Sequence, residues 1–159
     1  MNFWRKGSSS MDKTGCYEFV AEPFHCDFSG RLFMGHMGNH MLNAADFHSS
    51  ARGFGMKYLM TIHRSWVLSR LAIEMNEMPR QYTKFTVETW VENAMRYFTS
   101  RNFRVVGHSD TIGGAPDSGQ CSTASGQCST ASGQCSTDNG QSPKVYGYGR
   151  SIWAMIDTS

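Results

Sequence analysis

The sequence predicts an α+β domain in which one long helix lies across an antiparallel β-sheet. Two observations predict this fold class. Residues 34–52 are the only long segment with helical periodicity, and almost every segment after them alternates apolar and polar residues as strands do. The chain has 159 residues, of which 40% are hydrophobic and 13% aromatic, and this length and composition suit one globular domain with its own core.

The predicted helix separates its residues onto two faces at about 100° per residue. One face carries methionines and small residues, which fill irregular gaps and let a helix approach a sheet closely. That face consists of Met34, Met37, Met41, Ala44, Ala45, His48 and Ala51. The opposite face is polar apart from Phe47, and an apolar ring there predicts that another repeat or a dimer partner covers it. Gly53 and Gly55 are the predicted stop signals.

Alternating segments predict the strands. The first covers residues 17–20, and the later ones cover residues 65–75, 84–93, 96–106 and 145–156. In the segment 65–75, strict alternation places Val67 and Leu71 on one face and Trp66 and Leu68 on the other. Residues 24–28 are expected to form an extended approach to the helix, and residues 57–62 a short strand or a connector. The strands after the helix are expected to form a meander.

The domain boundaries follow from composition. Residues 1–15 are predicted to be a disordered leader, and residues 16–159 a single domain. Residues 107–143 contain SGQCSTA at 118–124 and again at 125–131, followed by SGQCSTD at 132–138. Gly, Ser, Thr and Gln cannot bury enough surface to offset the ordering entropy. This segment is therefore predicted to be a flexible loop inserted between two adjacent strands.

Charge and cysteine usage narrow the functional classes. The net charge of +2 does not favour a nucleic-acid partner, and no run of about 18 apolar residues predicts a membrane span. Three of the five cysteines lie in the repeat, at a spacing that matches no common zinc pattern. We therefore expect neither a disulfide framework nor a metal, and a reducing, cytoplasmic location. His36 and His40 have a metal-binding spacing, but no third ligand is nearby in the sequence.

Six segments resemble a known family when they are taken together and in order. They are GNHMLNAADFHSSARGFG (38–55), WVLSRLAIEM (66–75), MP (78–79), FTVETWVEN (85–93), FTSRNF (98–103) and GYGRSIWAMID (147–157). They closely resemble the N-terminal half of acyl-acyl carrier protein (acyl-ACP) thioesterases of bacteria and plants. The resemblance covers nearly all of residues 17–157 except the repeat loop. It implies a hot-dog fold, in which an antiparallel sheet wraps one long central helix, and hydrolysis of fatty acyl-ACP in fatty acid biosynthesis.

Enzymes of this family carry two hot-dog repeats, and the resemblance implies that the catalytic groups lie in the second. Their pattern there is Asp-x-Asn-x-His-x-Asn. In the present chain Asp27 matches the Asp, but Ser29, Arg31 and Phe33 stand at the three other positions. An arginine remains protonated and cannot act as a general base. We therefore expect a non-catalytic repeat that forms the acyl-chain tunnel, with the catalytic repeat absent from these residues.

The resemblance also supplies candidate site residues. Some single-repeat hot-dog thioesterases carry an acid on the central helix, so Asp27, Asp46 and Asn43 are the candidate catalytic residues, although a solvated helix carboxylate is the favoured interpretation of Asp46. The residues expected to line the acyl chain are Met34, Met37, Met41, Trp66 and Trp90. The basic residues that could contact the acidic carrier protein are Arg52, Lys57, Arg64, Arg96 and Arg101.

The implied partners are the acyl carrier protein with its fatty acyl chain, and a second hot-dog repeat or a homodimer partner. Neither a cofactor, nor a nucleic acid, nor a membrane is expected. Two alternatives remain open. One is a self-sufficient, single-repeat dimeric hot-dog thioesterase that uses Asp27 or Asp46, and the other is a non-enzymatic acyl-binding module.

Overall fold

The computed structural model describes residues 13–95, 97–107 and 143–158. Strand β1 (Thr14–Val20) leads through a 3-10 turn (Pro23–His25) into helix α1 (Met34–Ala51) and the short helix α2 (Met56–Thr61). The strands that follow are β2 (Arg64–Met75), β3 (Lys84–Ala94), β4 (Phe98–Gly107) and β5 (Lys144–Asp157). Neither helix of this described part has both the length and the apolar character that crossing a membrane requires.

Helix α1 is the long helix that the periodicity predicts. It follows Phe33, which offers no side-chain cap. It ends at Ala51, and Gly53, just beyond the C-cap residue Arg52, adopts a φ of 79° that favours glycine. The N–H groups of Gly53 and Phe54 donate to the carbonyl oxygens of Ser50 and Ser49, which is the pair of hydrogen bonds of a Schellman motif. At about 1.5 Å per residue the helix is about 27 Å long, enough to cross five strands.

The five strands form one antiparallel sheet in the order β1-β3-β4-β5-β2. Helices α1 and α2 carry the chain from the edge strand β1 to the opposite edge strand β2, and β3 then pairs with β1. The predicted pairing of β3 with β4 is confirmed, and β4 pairs with β5 across the predicted insertion. The expected meander excludes β2, however, because β2 pairs with β5 at the far edge of the sheet.

The predicted leader and repeat loop lie mostly outside the described residues. Residues 1–12 of the leader and residues 108–142 of the loop are not described, and the three cysteines of the repeat fall among the latter. At the boundaries, Thr14 and Gly15 belong to β1, and Gly107 ends β4. Strand β1 therefore begins at residue 14, earlier than the predicted first strand at residue 17.

Two connecting segments differ from their predictions. The approach to α1 is not fully extended, because a 3-10 turn begins at Pro23, whose ring fixes a φ that suits the first position of a helical turn. The segment 57–62 is not a strand. The Gly55 carbonyl accepts hydrogen bonds from the N–H groups of Tyr58 and Leu59, which starts helix α2, and Leu59 is the buried residue of that helix.

A β-bulge reverses the two faces of β2 along its length. The pairing register with β5 shifts between Leu68 and Arg70. An extra residue in a strand moves every later side chain to the other face. Trp66 therefore faces α1 together with Leu71, whereas Val67 is exposed. The strict alternation that placed Trp66 opposite Leu71 is wrong for this reason.

The core lies between α1 and the face of the sheet that it crosses. Met37 and Met41 are fully buried there. Their apolar neighbours in the core include Phe85, Val87, Phe103 and Val105. A Cβ added at Gly149 would lie 2.9 Å from the Met41 sulfur, so glycine at this position allows the close approach of helix and sheet. Met34 and Ala51, which were predicted on the same helix face, lie exposed at the two ends of α1.

Candidate functional site

The candidate site is a cavity of roughly 110 Å³ at the C-terminal end of α1. Its wall is mostly apolar and draws on both helices and on strands β2 to β5. The apolar side chains that form it include Leu42, Phe54, Trp66, Val91 and Trp153. Its polar lining includes Asp46, His48, Ser49, Arg52 and Arg101. Asp46 and Met56 are exposed, so the cavity reaches solvent at the corner between α1 and α2.

A buried arginine is the main polar group of this cavity. Arg101 lies on β4 and is only 5% exposed. Its Nη1 donates to Nδ1 of His48 at 3.1 Å and to Oγ1 of Thr89 at 3.2 Å. Its Nη2 donates to Oγ of Ser49 at 3.0 Å. Strand β4 thus points a cation inward, where it is held by α1 and β3.

The protonation state of His48 follows from this contact. A guanidinium can only donate, so Nδ1 of His48 must accept, and the ring proton lies on Nε2. Burial first, and then the positive charges of Arg101 and Arg52, lower the pKa of His48 to about 4, although a backbone hydrogen bond with Lys13 acts in the opposite direction. The imidazole is therefore neutral at pH 7.

Arg101 remains a cation in this setting. Burial lowers its pKa to about 10, and the charge of Arg52 acts in the same direction, while Tyr17 opposes both. Within residues 13–95, 97–107 and 143–158, no carboxylate lies within ion-pairing distance of Arg101. A buried charge without an opposite charge is unfavourable, so the arrangement favours an anion from outside.

The helix carboxylate predicted as a catalytic candidate lies at the rim of the cavity. Asp46 is exposed, and its Oδ1 accepts a hydrogen bond from the N–H of Met56 at 3.5 Å. Asn43 lies one turn earlier and is also exposed. Asp46 and His48 are two residues apart on α1, so they project to different faces of the helix. Although both line the cavity, none of the hydrogen bonds in the described chain joins them, and they do not form an acid–base pair.

The other candidate carboxylate belongs to a turn before α1. Oδ1 of Asp27 accepts hydrogen bonds from the N–H and the hydroxyl of Ser29 at 2.8 and 2.6 Å, and from the N–H of Arg31 at 3.3 Å. These hydrogen bonds lower the pKa of Asp27, the hydroxyl of Ser29 contributing most. Asp27 precedes the first residue of α1, whereas Asp46 lies near its other end. Residues 34 and 46 are about 18 Å apart along the helix axis. The structure therefore does not bring Asp27 to Asp46.

The histidines near the start of α1 do not converge on a common point. The rings of His25 and His36 stack with centroids 4.1 Å apart, and His40 packs against the rings of Phe19 and Phe85. Burial lowers the pKa of His40. In the part of the chain that the structure describes, no three potential metal ligands come together.

The residues predicted to line an acyl chain are divided among four environments. Trp66 lines the cavity, while Met37 and Met41 lie in the adjoining core. Met34 is 44% exposed at the start of α1. Trp90 follows Thr89 on β3 and so projects from the opposite face of the sheet.

The role of the buried arginine was not predicted from the sequence. Arg101 was expected among the basic residues that could contact the carrier protein, and this expectation is wrong because Arg101 is buried. A signal was present, since Arg101 shares its strand parity with Phe103 and Val105, which belong to the core. Arg96, another member of that group, lies outside the described residues.

A protein-family model matches more than half of this chain. Residues 17–115 match the model described as the acyl-ACP thioesterase N-terminal domain. The chain is also 46% identical to an acyl-ACP thioesterase from Bacteroides thetaiotaomicron VPI-5482, with a TM-score of 0.70. That match covers 95% of this chain and 49% of the Bacteroides chain, so the present chain spans about half the length of its relative.

Two more distant structures share the fold. A 1,4-dihydroxy-2-naphthoyl-CoA thioesterase from Synechocystis is 8% identical with a TM-score of 0.66, over 92% of this chain and 84% of that chain. A DHNA-CoA thioesterase from Staphylococcus aureus is 13% identical with a TM-score of 0.67, over 92% and 76%. These matches confirm the hot-dog fold alone. A search of curated proteins finds no match.

Proposed function

Since the chain belongs to the acyl-ACP thioesterase family, as the match of its residues 17–115 to the N-terminal domain shows, we propose that it is the acyl-chain-binding, non-catalytic half of a fatty acyl-ACP hydrolase. The turn from Asp27 to Arg31 carries this proposal. Arg31 stands at the histidine position of the family pattern, and its Nη1 donates to Oε1 of Glu77 and to the carbonyl of Met78. It is a cation in a structural contact and cannot take a proton from water.

Asp27, the acidic residue of the pattern, accepts its hydrogen bonds from its own turn. Three hydrogen bonds from Ser29 and Arg31 converge on one oxygen of Asp27, and its lowered pKa makes this carboxylate a weaker base. The turn therefore supports a structural role for Asp27. Hydrolysis in fatty acid biosynthesis would then depend on a catalytic repeat outside the residues described.

The acyl-binding role rests on the apolar surface beside α1. Trp66, Leu42 and Val91 offer an apolar wall, and the adjoining Met37 and Met41 have side chains that adapt to irregular shapes. We assign these residues to the acyl chain. Met34 and Trp90, which lie away from the cavity, are not needed for this role.

We further propose that a second hot-dog repeat or a second copy of the chain covers the N-terminal end of α1. Large apolar side chains are exposed there and along α1: Phe24 (98%), Phe28 (106%), Phe33 (58%) and Phe47 (43%). Such a concentration of exposed rings is typical of a protein–protein interface. Cys26 is a free thiol, which supports a cytoplasmic location.

The test is hydrolysis of a long-chain acyl-ACP by the purified 159-residue chain. We expect release of fatty acid to stay at the rate of the buffer, while native mass spectrometry detects bound acyl chain. Asp27→Asn and Asp46→Asn are matched variants that remove one carboxylate each. Robust turnover that Asp46→Asn abolishes and Asp27→Asn retains would replace the proposal with the single-repeat enzyme. Absence of both turnover and acyl binding would also contradict it.

A further inference from the structure

The proposed hydrolysis leaves the buried cation Arg101 without a role. Its three hydrogen-bond partners, His48, Thr89 and Ser49, are all neutral. Throughout the described residues no carboxylate pairs with it. Taking a guanidinium out of water without an opposite charge is destabilising, so its burial requires another explanation.

Arg101 still has donors to offer. A guanidinium carries five N–H groups in a planar fork, and the three hydrogen bonds to protein use two on Nη1 and one on Nη2. The N–H on Nε and one on Nη2 are left. A planar fork of N–H donors matches the two oxygens of a carboxylate, and such paired hydrogen bonds are shorter and stronger than neutral ones.

The cavity that Arg101 lines is otherwise suited to a hydrocarbon. Leu42, Trp66, Val91 and Trp153 contribute apolar side chains to its wall. Its volume of roughly 110 Å³ is smaller than the roughly 150 Å³ of an engineered cavity that admits benzene, so it encloses only the first few carbons of a chain, and the remainder extends through the opening between α1 and α2. A buried cation in a mostly apolar cavity selects a ligand with an anionic end and an apolar remainder.

We propose that this cavity binds a free short-chain aliphatic carboxylate, whose oxygens pair with Arg101 and whose chain lies against Leu42, Trp66 and Val91. The ligand differs from the thioester of the proposed hydrolysis, because a thioester has no free carboxylate. The inference rests on the proposed function only for the aliphatic nature of the chain. Arg52, which also lines the cavity, adds a second positive charge near the anion.

The first test compares two probes of equal length on the unmodified 159-residue protein. Hexanoate carries the charge, and hexanamide is its neutral counterpart. We expect hexanoate to bind at least tenfold more tightly by calorimetric titration, with NMR shifts at the indole groups of Trp66 and Trp153. Equal affinity would overturn this inference and leave the acyl-binding proposal intact. Failure of both probes to bind would also overturn this inference, whereas the proposed function is tested separately by the native mass spectrometry of bound long acyl chain.

The second test removes the cation. Arg101→Gln should reduce hexanoate affinity at least tenfold and abolish the preference for hexanoate over hexanamide. Arg101→Lys keeps the positive charge but not the planar fork of N–H donors, so it should lose part of the hexanoate affinity. Arg150→Gln is the matched control, because Arg150 is exposed on β5 and pairs with Glu92. Unchanged hexanoate affinity in a folded Arg101→Gln protein would overturn the inference. If that variant does not fold, the comparison of the two probes on the unmodified protein decides.

Discussion

The charged side chains at the two ends of α1 differ in whether they have a partner of opposite charge or a local hydrogen-bond donor. At the N-terminal end, Arg31 and Lys144 both pair with Glu77 at the surface, and the Asp27 carboxylate is held within its own turn. At the C-terminal end, the cation of Arg101 is buried among neutral partners beside an apolar cavity. The first end satisfies its charges within the protein, whereas the second keeps one charge for which the described chain supplies no counterion.

This difference separates a structural region from the proposed binding region. Exposed ion pairs contribute roughly 0–1 kcal/mol each and constrain little besides local geometry. A buried charge without a counterion lowers stability, and such groups are common at functional sites. The family pattern drew attention to the N-terminal end, around Asp27, yet the physical features of a ligand site lie at the other end of the helix.

The largest expected effect is the loss of stability at mildly acidic pH caused by His48. Its pKa is about 4 in the folded protein and 6.5 in the unfolded chain, so between these values the unfolded state binds more protons. The free energy of unfolding should therefore fall by about 3 kcal/mol as the pH drops from 7 to 4. Urea unfolding at a series of pH values measures this, and His48→Gln should remove most of the dependence.

The N-terminal end supplies the controls for this pH series. Burial also lowers the pKa of His40, so His40 adds to the same window, and His40→Gln separates its share from that of His48. The pKa values of Asp27 and Glu77 are lowered below 3.8 and 4.5. Their contributions to the free energy of unfolding are therefore present above these pH values and are lost as the pH falls below them. An unaltered slope between pH 4 and 6.5 in His48→Gln would contradict the assignment.

A matched pair of hydroxyl deletions tests burial directly. Thr89→Val removes the acceptor of a buried Arg101 hydrogen bond and should lower the free energy of unfolding by about 1–3 kcal/mol. Ser29→Ala removes the exposed hydroxyl that donates to Asp27 and should lower it by less than about 1 kcal/mol. Chemical denaturation of both variants gives the comparison. Equal effects would show that the two ends do not differ in solvent exclusion.

A surface cation gives a smaller expected effect. Arg31→Gln removes the contact with Glu77, in which the two side chains are 37% and 34% exposed. The free energy of unfolding should fall by less than about 1 kcal/mol, because solvent screens the pair and Lys144 still contacts Glu77. The same denaturation assay applies. A loss above 2 kcal/mol would mean that the N-terminal end depends on this charge after all.

The smallest expected effect concerns an exposed ring. Phe28→Ser should leave the free energy of unfolding of the isolated chain within about 0.5 kcal/mol, since the ring has no cover in the described structure. Thermal unfolding of the dilute protein checks this value. A clear loss of stability at low concentration would place the ring inside this chain's own fold and remove it from the proposed partner surface.

Much of the fold was predictable because its signals are local. The methionine and alanine spacing of α1, its glycine stop, and the pairing of β3 with β4 are encoded in neighbouring residues. The candidate site was only partly predictable. Trp66 was expected beside an acyl chain, but the face on which it lies depends on the bulge after Leu68, which simple alternation does not reveal.

By itself the sequence determined the family, the long helix, the strands and the core positions of Met37 and Met41, because periodicity follows from backbone geometry that each segment carries with it. The tertiary structure alone decided that β2 pairs with β5 and that Arg101 meets His48, Thr89 and Ser49. Those contacts join residues far apart in the chain, and the protonation state of a side chain depends on which distant groups surround it.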